Sequence, residues 1–406
     1  MLFSNEKGSR LTQDLPVPGR WMKRPEGYRA FLPAPLPPTI PWTAALTRAL
    51  SEADLVLGRL AGEGRQLPNP HLLIRPFIQR EAVLSSRIEG TQATLGELLA
   101  SEAGAFVDRS PGDLREVSNY VVALDYGAKR LKSLPLSLRL VRELHAKLLN
   151  GVTPPHLTPG EFRRSQNWIG PAGCTLMNAS YVPPPPDHLM ECLGQWETFL
   201  HDRSLPPLVQ IALIHYQFEA IHPFLDGNGR VGRLLVTLFL MERDVLPTPL
   251  LYLSAFFEAT RREYYDRLAA VGSRGDWTNW LLYFLSGVAR QSEDALSRAE
   301  RINRLLVEWR VVASRSSSKV PARTVDLLAA NPFIVPKKAV QRLQVAFTTV
   351  QRGIDYLVKN GILQQVGTKK RDRVYCAQEI LKILEEPAQL KPNARSGTIR
   401  SDPDRI

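Results

Sequence analysis

Residues 222–230 constrain the fold more than any other part of the chain. This short polar stretch lies between two apolar segments, Leu208–Ile221 and Val231–Arg243, and each has the length and composition of a buried helix. The sequence Gly-Asn-Gly at 227–229 lets the backbone take positive φ angles just before the second helix. The sequence therefore predicts a helix–loop–helix unit that leaves backbone N–H groups open at a helix N-terminus.

The chemistry of this loop is that of an anion site. The N-terminus of a helix attracts anions, and Arg230 and Arg233 share one face of the first turn, where two guanidiniums can grip phosphate oxygens. Asp226 is a natural ligand for a phosphate-bridging Mg²⁺. His222 is a base with an ordinary pKa near neutrality. Each residue alone has a common structural explanation, such as a turn or an Asx cap. Their order and spacing together predict a phosphate site.

The same residues carry a family resemblance. His222-Pro-Phe-x-Asp-Gly-Asn-Gly-Arg-x-x-Arg233 resembles the Fic family signature at every defined position. Gly160-Glu-Phe-Arg163, Trp168-Ile-Gly170 and Tyr264-Tyr265-x-x-Leu268 are similar to other parts of the Fic core, so the resemblance spans about residues 70–300. It implies a mainly α fold in which the signature joins two central helices. It also implies transfer of AMP from ATP to a Ser, Thr or Tyr hydroxyl of a target protein and of the chain itself.

The resemblance further implies a role for each site residue. His222 would be the general base, and Asp226 would hold Mg²⁺ against the phosphates. Tyr265 would line the adenine pocket. The remaining ATP contacts would come from Gly227, Asn228, Gly229, Arg230, Val231, Gly232 and Arg233. Residues 160–186 would form a small β-hairpin flap that docks the target chain, with Tyr181 and Val182 above the nucleotide.

A second pattern, Ser85-Ser-Arg-Ile-Glu89-Gly90, resembles the inhibitory pattern of the family. Ser85 and Glu89 are four residues apart and share a helix face, and Gly90 suits a helix C-terminus. The alternative is an ordinary exposed helix end. The resemblance implies that Glu89 pairs bidentately with Arg233 and keeps it from the γ-phosphate, so we expect an auto-inhibited enzyme.

Positive charge is concentrated in the last quarter of the chain. Of the net charge of +12, residues 1–300 contribute 32 basic and 31 acidic groups, and residues 301–406 contribute 20 and 9. Such asymmetry indicates a basic module joined to a neutral body. Three short helical segments and a basic turn at 367–375 resemble a winged helix-turn-helix, which serves in DNA binding, protein docking or dimer formation. The predicted DNA contacts are Thr348, Thr349, Arg352, Lys369, Lys370 and Arg371.

The predicted organisation has five parts. A proline-rich arm, which should run extended over a surface, and a helical region with the inhibitory helix occupy residues 1–110. The Fic catalytic core spans 111–300, and a helix end with a linker spans 301–319. The winged helix-turn-helix spans 320–385, and a disordered basic tail spans 386–406. The predicted fold class is mainly α.

Composition excludes several classes of protein. The longest mostly apolar run, Leu234–Met241, has eight residues and is too short to cross a bilayer. No secretory signal is recognisable, and three widely separated cysteines favour a reducing compartment over a disulfide framework or zinc site. We therefore expect a cytoplasmic protein without a membrane partner.

The expected partners are ATP, a protein substrate, DNA and a second copy of the chain in a homodimer. Two other functions stay open. Glu89 would orient a water and remove AMP from a modified protein, or the chain would be a nucleotide-sensing DNA-binding regulator. The intact His222 favours an enzyme, because a sensor has no use for a base at that position.

Overall fold

The computed structural model describes residues 18–388, apart from 67–69, 153, 155, 156, 172 and 368–371. The fold is mainly α, as the sequence predicts, with two small antiparallel sheets in the described part of the chain. In the same residues, no helix is both long and apolar enough to cross a membrane.

The described part of the N-terminal arm, from residue 18, contains a β-hairpin that the sequence did not predict. Strands β1 (Gly19–Lys23) and β2 (Arg29–Pro33) pair antiparallel, with Trp21 opposite Phe31. The two aromatic rings lie 5.2 Å apart, and such cross-strand pairs stabilise short hairpins. Only the proline-rich stretch that follows β2 runs without regular structure until the first helix, as expected for consecutive prolines.

A large helical body follows, and two of its helices form the centre. Nearly every residue of α7 (Pro207–Ile221) and α8 (Asn228–Glu242) is buried, as expected for largely apolar helices inside a helical fold. The predicted break near Gly90 is the gap between α2 and α3. The helices of the body are α1 (Ala44–Gln66), α2 (Pro70–Ile88), α3 (Leu95–Ala103), α4 (Pro111–Arg130), α5 (Leu138–Leu148), α6 (Pro186–Leu200), α7 (Pro207–Ile221), α8 (Asn228–Glu242), α9 (Ser254–Ala259), α10 (Arg261–Arg274) and α11 (Trp277–Ser314).

The predicted flap between α5 and α6 is largely irregular. Its hairpin character is limited to one antiparallel bridge between Ile169 and Tyr181. The flap is rich in glycine and proline, so it has few N–H groups in strand geometry. Strand β2 supports it from the side, since Phe31 N donates to Val182 O at 2.8 Å.

The last helices and strands form a C-terminal module, residues 320–385. Its elements are α12 (Val320–Ala330), β3 (Phe333–Ile334), α13 (Pro336–Leu343), α14 (Phe347–Lys359), β4 (Gln364–Val366), β5 (Val374–Cys376) and α15 (Gln378–Glu385). The sheet is antiparallel with the order β3-β5-β4. The element order follows the sequence pattern, and the assignment as a winged helix stays a prediction. Lys369, Lys370, Arg371 and residues 389–406 of the predicted tail lie outside the described residues. The predicted tail begins at 386, but Glu386 is held in place because it pairs with Arg301.

The module packs directly against the helical body. Arg301 of α11 pairs with Glu386 through two contacts of 2.6 Å each. Asn331 Nδ2 donates to Leu99 O at 2.9 Å, and Gly96 N donates to Glu385 Oε1 at 3.0 Å. The module therefore contacts α3, the helix that follows the predicted inhibitory segment.

Candidate active site

His222 ends α7 in a conformation that few residues other than glycine adopt. Its φ is 50°, in the left-handed region. Its carbonyl oxygen accepts hydrogen bonds from Arg163 Nε at 2.9 Å and Asn167 Nδ2 at 3.1 Å. The buried Arg163 and the half-buried Asn167 come from the start of the flap. The segment Gly160–Arg163 resembles a part of the Fic core, but the sequence predicts this role for neither residue.

The ring of His222 is arranged to accept a proton. Nδ1 lies 3.3 Å from Glu219 O. Because a carbonyl oxygen only accepts, Nδ1 carries the hydrogen and Nε2 keeps a free lone pair. Burial lowers the pKa of His222 to about 4, so the ring is neutral near pH 7. A neutral imidazole with an open nitrogen is what a general base requires.

The loop after His222 is fixed by packing and by one asparagine. Phe224 is fully buried, and its ring stacks on His145 with centroids 3.7 Å apart. Asn228 Oδ1 accepts from Phe224 N at 2.8 Å, and Asn228 Nδ2 donates to Phe224 O at 2.9 Å. Asn228 therefore closes the loop on itself, and its side chain is committed to this clamp rather than pointing into open space.

Asp226 lies at the mouth of the loop. Gly227, with φ 79°, directly precedes α8, and its N–H donates to Asp226 Oδ1 at 2.6 Å. The Asp226 side chain is 45% exposed. Among the described residues, no cluster of three or more His, Cys, Asp or Glu could hold a metal alone. Mg²⁺ commonly binds one or two carboxylates together with substrate phosphates, so Asp226 fits an ion shared with a nucleotide.

Arg233 is the outer arginine of the signature, and its side chain is only 2% exposed. Its Nε donates to Ser85 Oγ at 2.8 Å, and Nη2 donates to Ser85 O at 2.9 Å and to Glu89 Oε1 at 2.6 Å. The predicted partners are therefore in contact. The expected bidentate carboxylate pair does not form, because Ser85 takes one side of the guanidinium and a single oxygen of Glu89 takes the other.

The carboxylate of Glu89 lies over the start of α8. A β-carbon on Gly229 would collide with Glu89 Oε1, so the absence of a side chain there creates the space that the carboxylate fills. Burial alone would raise the pKa of Glu89, but the Arg233 guanidinium outweighs it and lowers the pKa. Glu89 is thus an anion in the place where the sequence predicts phosphate.

The end of α2 presents Glu89 at this position. The helix ends at Ile88, and Gly90 has φ 111°. Thr91 N turns back to donate to Ser86 O at 3.2 Å, which closes the helix end. The backbone therefore turns away directly after Glu89, as the Glu-Gly pair indicates.

Arg230 has a partner that the sequence does not indicate. Its side chain is 4% exposed, and Nη1 pairs with Glu116 Oε1 of α4. Nη2 lies 3.4 Å from each oxygen of Asp226. Burial lowers the pKa of Arg230 to about 10, which still leaves it charged near pH 7. Both signature arginines thus face carboxylates from the helices that precede the core.

Two residues predicted to touch ATP are committed elsewhere. The Val231 side chain is buried in the core, and its N–H donates to Gly227 O at 3.0 Å within the helix. Gly232 lies against Glu219, whose Oε1 a β-carbon would meet, and its carbonyl oxygen contacts His215 Nδ1 at 3.2 Å. These positions support α8 from the side that faces the core.

Tyr265 and the flap residues occupy the outside of the site. Tyr265 is 44% exposed, and its ring lies 5.3 Å from that of the buried Tyr264. Tyr181 exchanges backbone hydrogen bonds with Ile169 at 2.8 and 3.0 Å, and its hydroxyl donates to Ala220 O at 2.8 Å. Because Val182 O already accepts from Phe31 N, strand addition at these two flap residues requires β2 to move aside.

These features define a class of protein: a helical domain in which a base at one helix end faces a glycine-lined anion site at the next. The Fic/DOC family N-terminal domain matches residues 47–129, and the Fic/DOC family domain matches residues 135–240. The two matched segments lie within residues 47–240 and include Glu89, His222 and Arg233.

Curated relatives and a solved structure are similar to parts of this chain. Over 166 residues the chain is 35% identical to the protein adenylyltransferase Fic of Drosophila virilis, which covers 39% of this chain and 32% of that protein. The Drosophila grimshawi protein of the same name is 34% identical over the same shares. The chain therefore spans about a third of the length of these relatives. A Fic family protein from Desulfovibrio desulfuricans G20 has the same fold, with a TM-score of 0.57 at 20% identity over 84% of this chain and 98% of that one.

Proposed function

We propose that this protein is an auto-inhibited protein adenylyltransferase that moves AMP from ATP to a Ser, Thr or Tyr hydroxyl of a target protein and of itself. The observation that carries the proposal is the neutral, open His222 ring next to the anion site of α8, with Glu89 seated in that site. The name of the curated relatives supports the reaction type.

In the proposed reaction, His222 Nε2 takes the proton of the target hydroxyl. The hydroxyl oxygen attacks the α-phosphorus of ATP, the bond from that phosphorus to the bridging oxygen of the β-phosphate breaks, and pyrophosphate leaves. The target gains a phosphodiester to AMP, and the proton on His222 passes to solvent. Arg230 and the helix dipole of α8 balance charge on the phosphates. Mg²⁺, when bound at Asp226, adds positive charge to the phosphates.

In this scheme Glu89 inhibits AMP transfer. Its ionised carboxylate covers Gly229 and engages Arg233, so a triphosphate meets a negative charge where its outer phosphate needs a positive one. Nucleotide would then bind with its α-phosphorus out of line with the attacking oxygen. Removing the carboxylate is expected to release the enzyme.

One observation favours a second activity for the same residue. Glu89 is ionised, and about a third of its side chain is exposed, so it is positioned to orient a water as well as to block phosphate. The protein would then also remove AMP from a modified hydroxyl. A nucleotide-sensing regulator without chemistry accounts less well for the base at His222.

The C-terminal module is proposed to bind DNA. The exposed face of α14 carries Thr348, Arg352, Asp355 and Lys359, with Thr349 half-buried beside it. Two cations and one carboxylate give this face a net charge of only about +1, so most of the positive charge of the module lies outside this face.

We also propose that the protein forms a homodimer and that it is located in the cytoplasm.

Labelled ATP tests the enzymatic proposal. The wild type, Glu89→Gly and the double variant Glu89→Gly, His222→Ala are incubated with α-³²P-ATP, Mg²⁺ and cell lysate. We expect strong label on protein only with Glu89→Gly. No label above wild type with that variant would contradict the proposal. Release of AMP from prelabelled protein by the wild type, and not by Glu89→Gly, would support the second activity.

A further inference from the structure

Glu116 of α4 links two parts of the site. One carboxylate oxygen, Oε1, pairs with Nη1 of Arg230. The other, Oε2, accepts a hydrogen bond from the Thr91 hydroxyl at 2.9 Å. Glu116 therefore holds a signature arginine with one oxygen and the end of the inhibitory helix with the other.

The position of Glu116 is well fixed. Thr91 is 9% exposed, and its backbone N–H closes the C-terminus of α2 on Ser86 O at 3.2 Å. The Glu116 side chain is itself only 22% exposed. A carboxylate held by a fixed hydroxyl points its second oxygen in one direction, which here is toward Arg230.

Arg230 is shared unequally between two carboxylates. Glu116 is in direct contact with Nη1, whereas both oxygens of Asp226 lie 3.4 Å from Nη2, at the long limit of a hydrogen bond. Nε of Arg230 has no hydrogen-bond partner in the described part of the chain. Because a buried guanidinium without a carboxylate is costly, Arg230 will move to another acid if Glu116 loses its charge.

We propose that Glu116 is a positioning residue that draws Arg230 toward itself, so that the contact of Arg230 with Asp226 stays long and the Asp226 carboxylate can bind a divalent cation. The inference rests on the proposed function, in which Asp226 shares Mg²⁺ with ATP. A carboxylate in close contact with arginine has its charge neutralised and its lone pairs occupied, and it is then a poor ligand for a hard cation. Glu89 is not an equal substitute for Glu116, because Arg233 already engages it.

Calorimetry with α,β-methylene-ATP, which cannot transfer AMP, measures the effect on metal-dependent binding. The background is Glu89→Gly, in which the anion site is open. We expect Mg²⁺ in place of EDTA to raise the affinity of this protein about tenfold, the size of one charge-assisted contact. Adding Glu116→Gln should reduce that gain to about twofold or less, while the affinity in EDTA stays within about threefold.

Three further variants serve as controls. Asp226→Asn should remove the Mg²⁺ gain alone, and Glu116→Gln added to it should change nothing further. Thr91→Val, which removes only the hydroxyl that orients Glu116, should lose part of the gain. Glu143→Gln alters another arginine-paired glutamate, which lies 3.2 Å from Arg130 Nε, and should keep the whole gain.

Two results would overturn the inference. Equal loss of affinity with and without Mg²⁺ would mean that Glu116 only supports the anion site, and unchanged binding would mean that it has no role. A crystal structure of Glu116→Gln decides the geometry without any nucleotide: a guanidinium nitrogen of Arg230 should lie within about 3.0 Å of Asp226. An unmoved Arg230 would reject the inference. Normal Mg²⁺-dependent binding without AMP transfer would instead reject the proposed function.

Discussion

The signature region and the C-terminal module both contain basic residues, but those that the structure describes are buried in the first and exposed in the second. Arg230 and Arg233 have side chains that are 4% and 2% exposed, and each contacts a carboxylate from a preceding helix. In the module, Arg352 and Lys359 lie on the surface of α14. The excess charge of the sequence lies beyond residue 300, while the two buried signature arginines lie in the electrically balanced body.

Burial decides how each region responds to change. A buried pair that loses one partner leaves an uncompensated charge, and salt screens it little. Exposed cations act on a partner at longer range and are screened within about 10 Å at 0.1 M salt. Single substitutions should therefore have large effects at the signature and small, salt-dependent effects in the module.

The largest expected effect comes from His222→Ala in the Glu89→Gly background. Loss of the general base should lower AMP transfer by about 10²–10⁴ and leave ATP affinity within a few-fold, because the ring faces the nucleophile rather than the phosphates. Label transfer and calorimetry measure the two quantities. His188→Ala, which removes a half-buried histidine of α6, should change neither, and near-normal transfer by His222→Ala would reject the mechanism.

Glu89→Gly should raise transfer about tenfold or more, since a charge-assisted contact of about 1.5–3 kcal/mol then no longer competes with phosphate. Glu89→Gln keeps the length of the side chain and separates charge from shape, and it should also raise transfer. Arg233→Ala added to Glu89→Gly should return activity to a low level. A fall in transfer with Glu89→Gly would assign the residue a catalytic role instead.

Low pH should lower the free energy of unfolding of the helical body, because several of its histidines are buried and neutral. Burial lowers the pKa of His145 to about 4, of His215 to about 3 and of His222 to about 4. Below pH 6.5 these histidines bind protons in the unfolded chain but not in the folded chain. The free energy of unfolding therefore falls as pH falls. Each histidine should contribute about 1.4 kcal/mol per pH unit between roughly pH 6 and pH 4.5.

Urea unfolding at several pH values measures this slope. His201→Ala removes an exposed histidine and should leave the slope unchanged. A free energy of unfolding that stays constant from pH 6.5 to pH 5 would show that these rings protonate in the folded state, contrary to their burial.

The smallest effect is expected in the module. Arg352→Ala should weaken binding to any DNA duplex a few-fold and reduce the slope of log affinity against log salt by about 1, as loss of one phosphate contact does. Shift assays at several salt concentrations are suitable. If full-length protein shows no salt-dependent affinity, the module is a docking domain.

The fold class and the central loop were predictable because their signals are local. Apolar segments on both sides of 222–230 indicate α7 and α8, and the Glu89-Gly90 pair indicates the end of α2. The hairpin β1–β2 was missed because its strands are short and flanked by prolines that favour an extended arm. The flap proved irregular because glycine and proline prevent strand pairing there.

Other site residues act through contacts that no local pattern encodes. Glu116 is 114 residues from Arg230, and Asn167 is 55 residues from the His222 carbonyl that it supports. In the sequence each is an ordinary polar residue. Val231 and Gly232 were assigned to ATP from their place in the signature, although helix geometry turns both toward the core.

The pairing of α2 with α8 has a consequence for how the protein is made. Glu89 precedes Arg233 by 144 residues, so a ribosome adding about 5–20 residues per second releases the end of α2 roughly 7–30 seconds before the arginine that Glu89 contacts. Glu89 has therefore already left the ribosome when Arg233 emerges. Under the proposed inhibition by Glu89, the nascent chain passes through no stage in which the anion site is complete and uncovered.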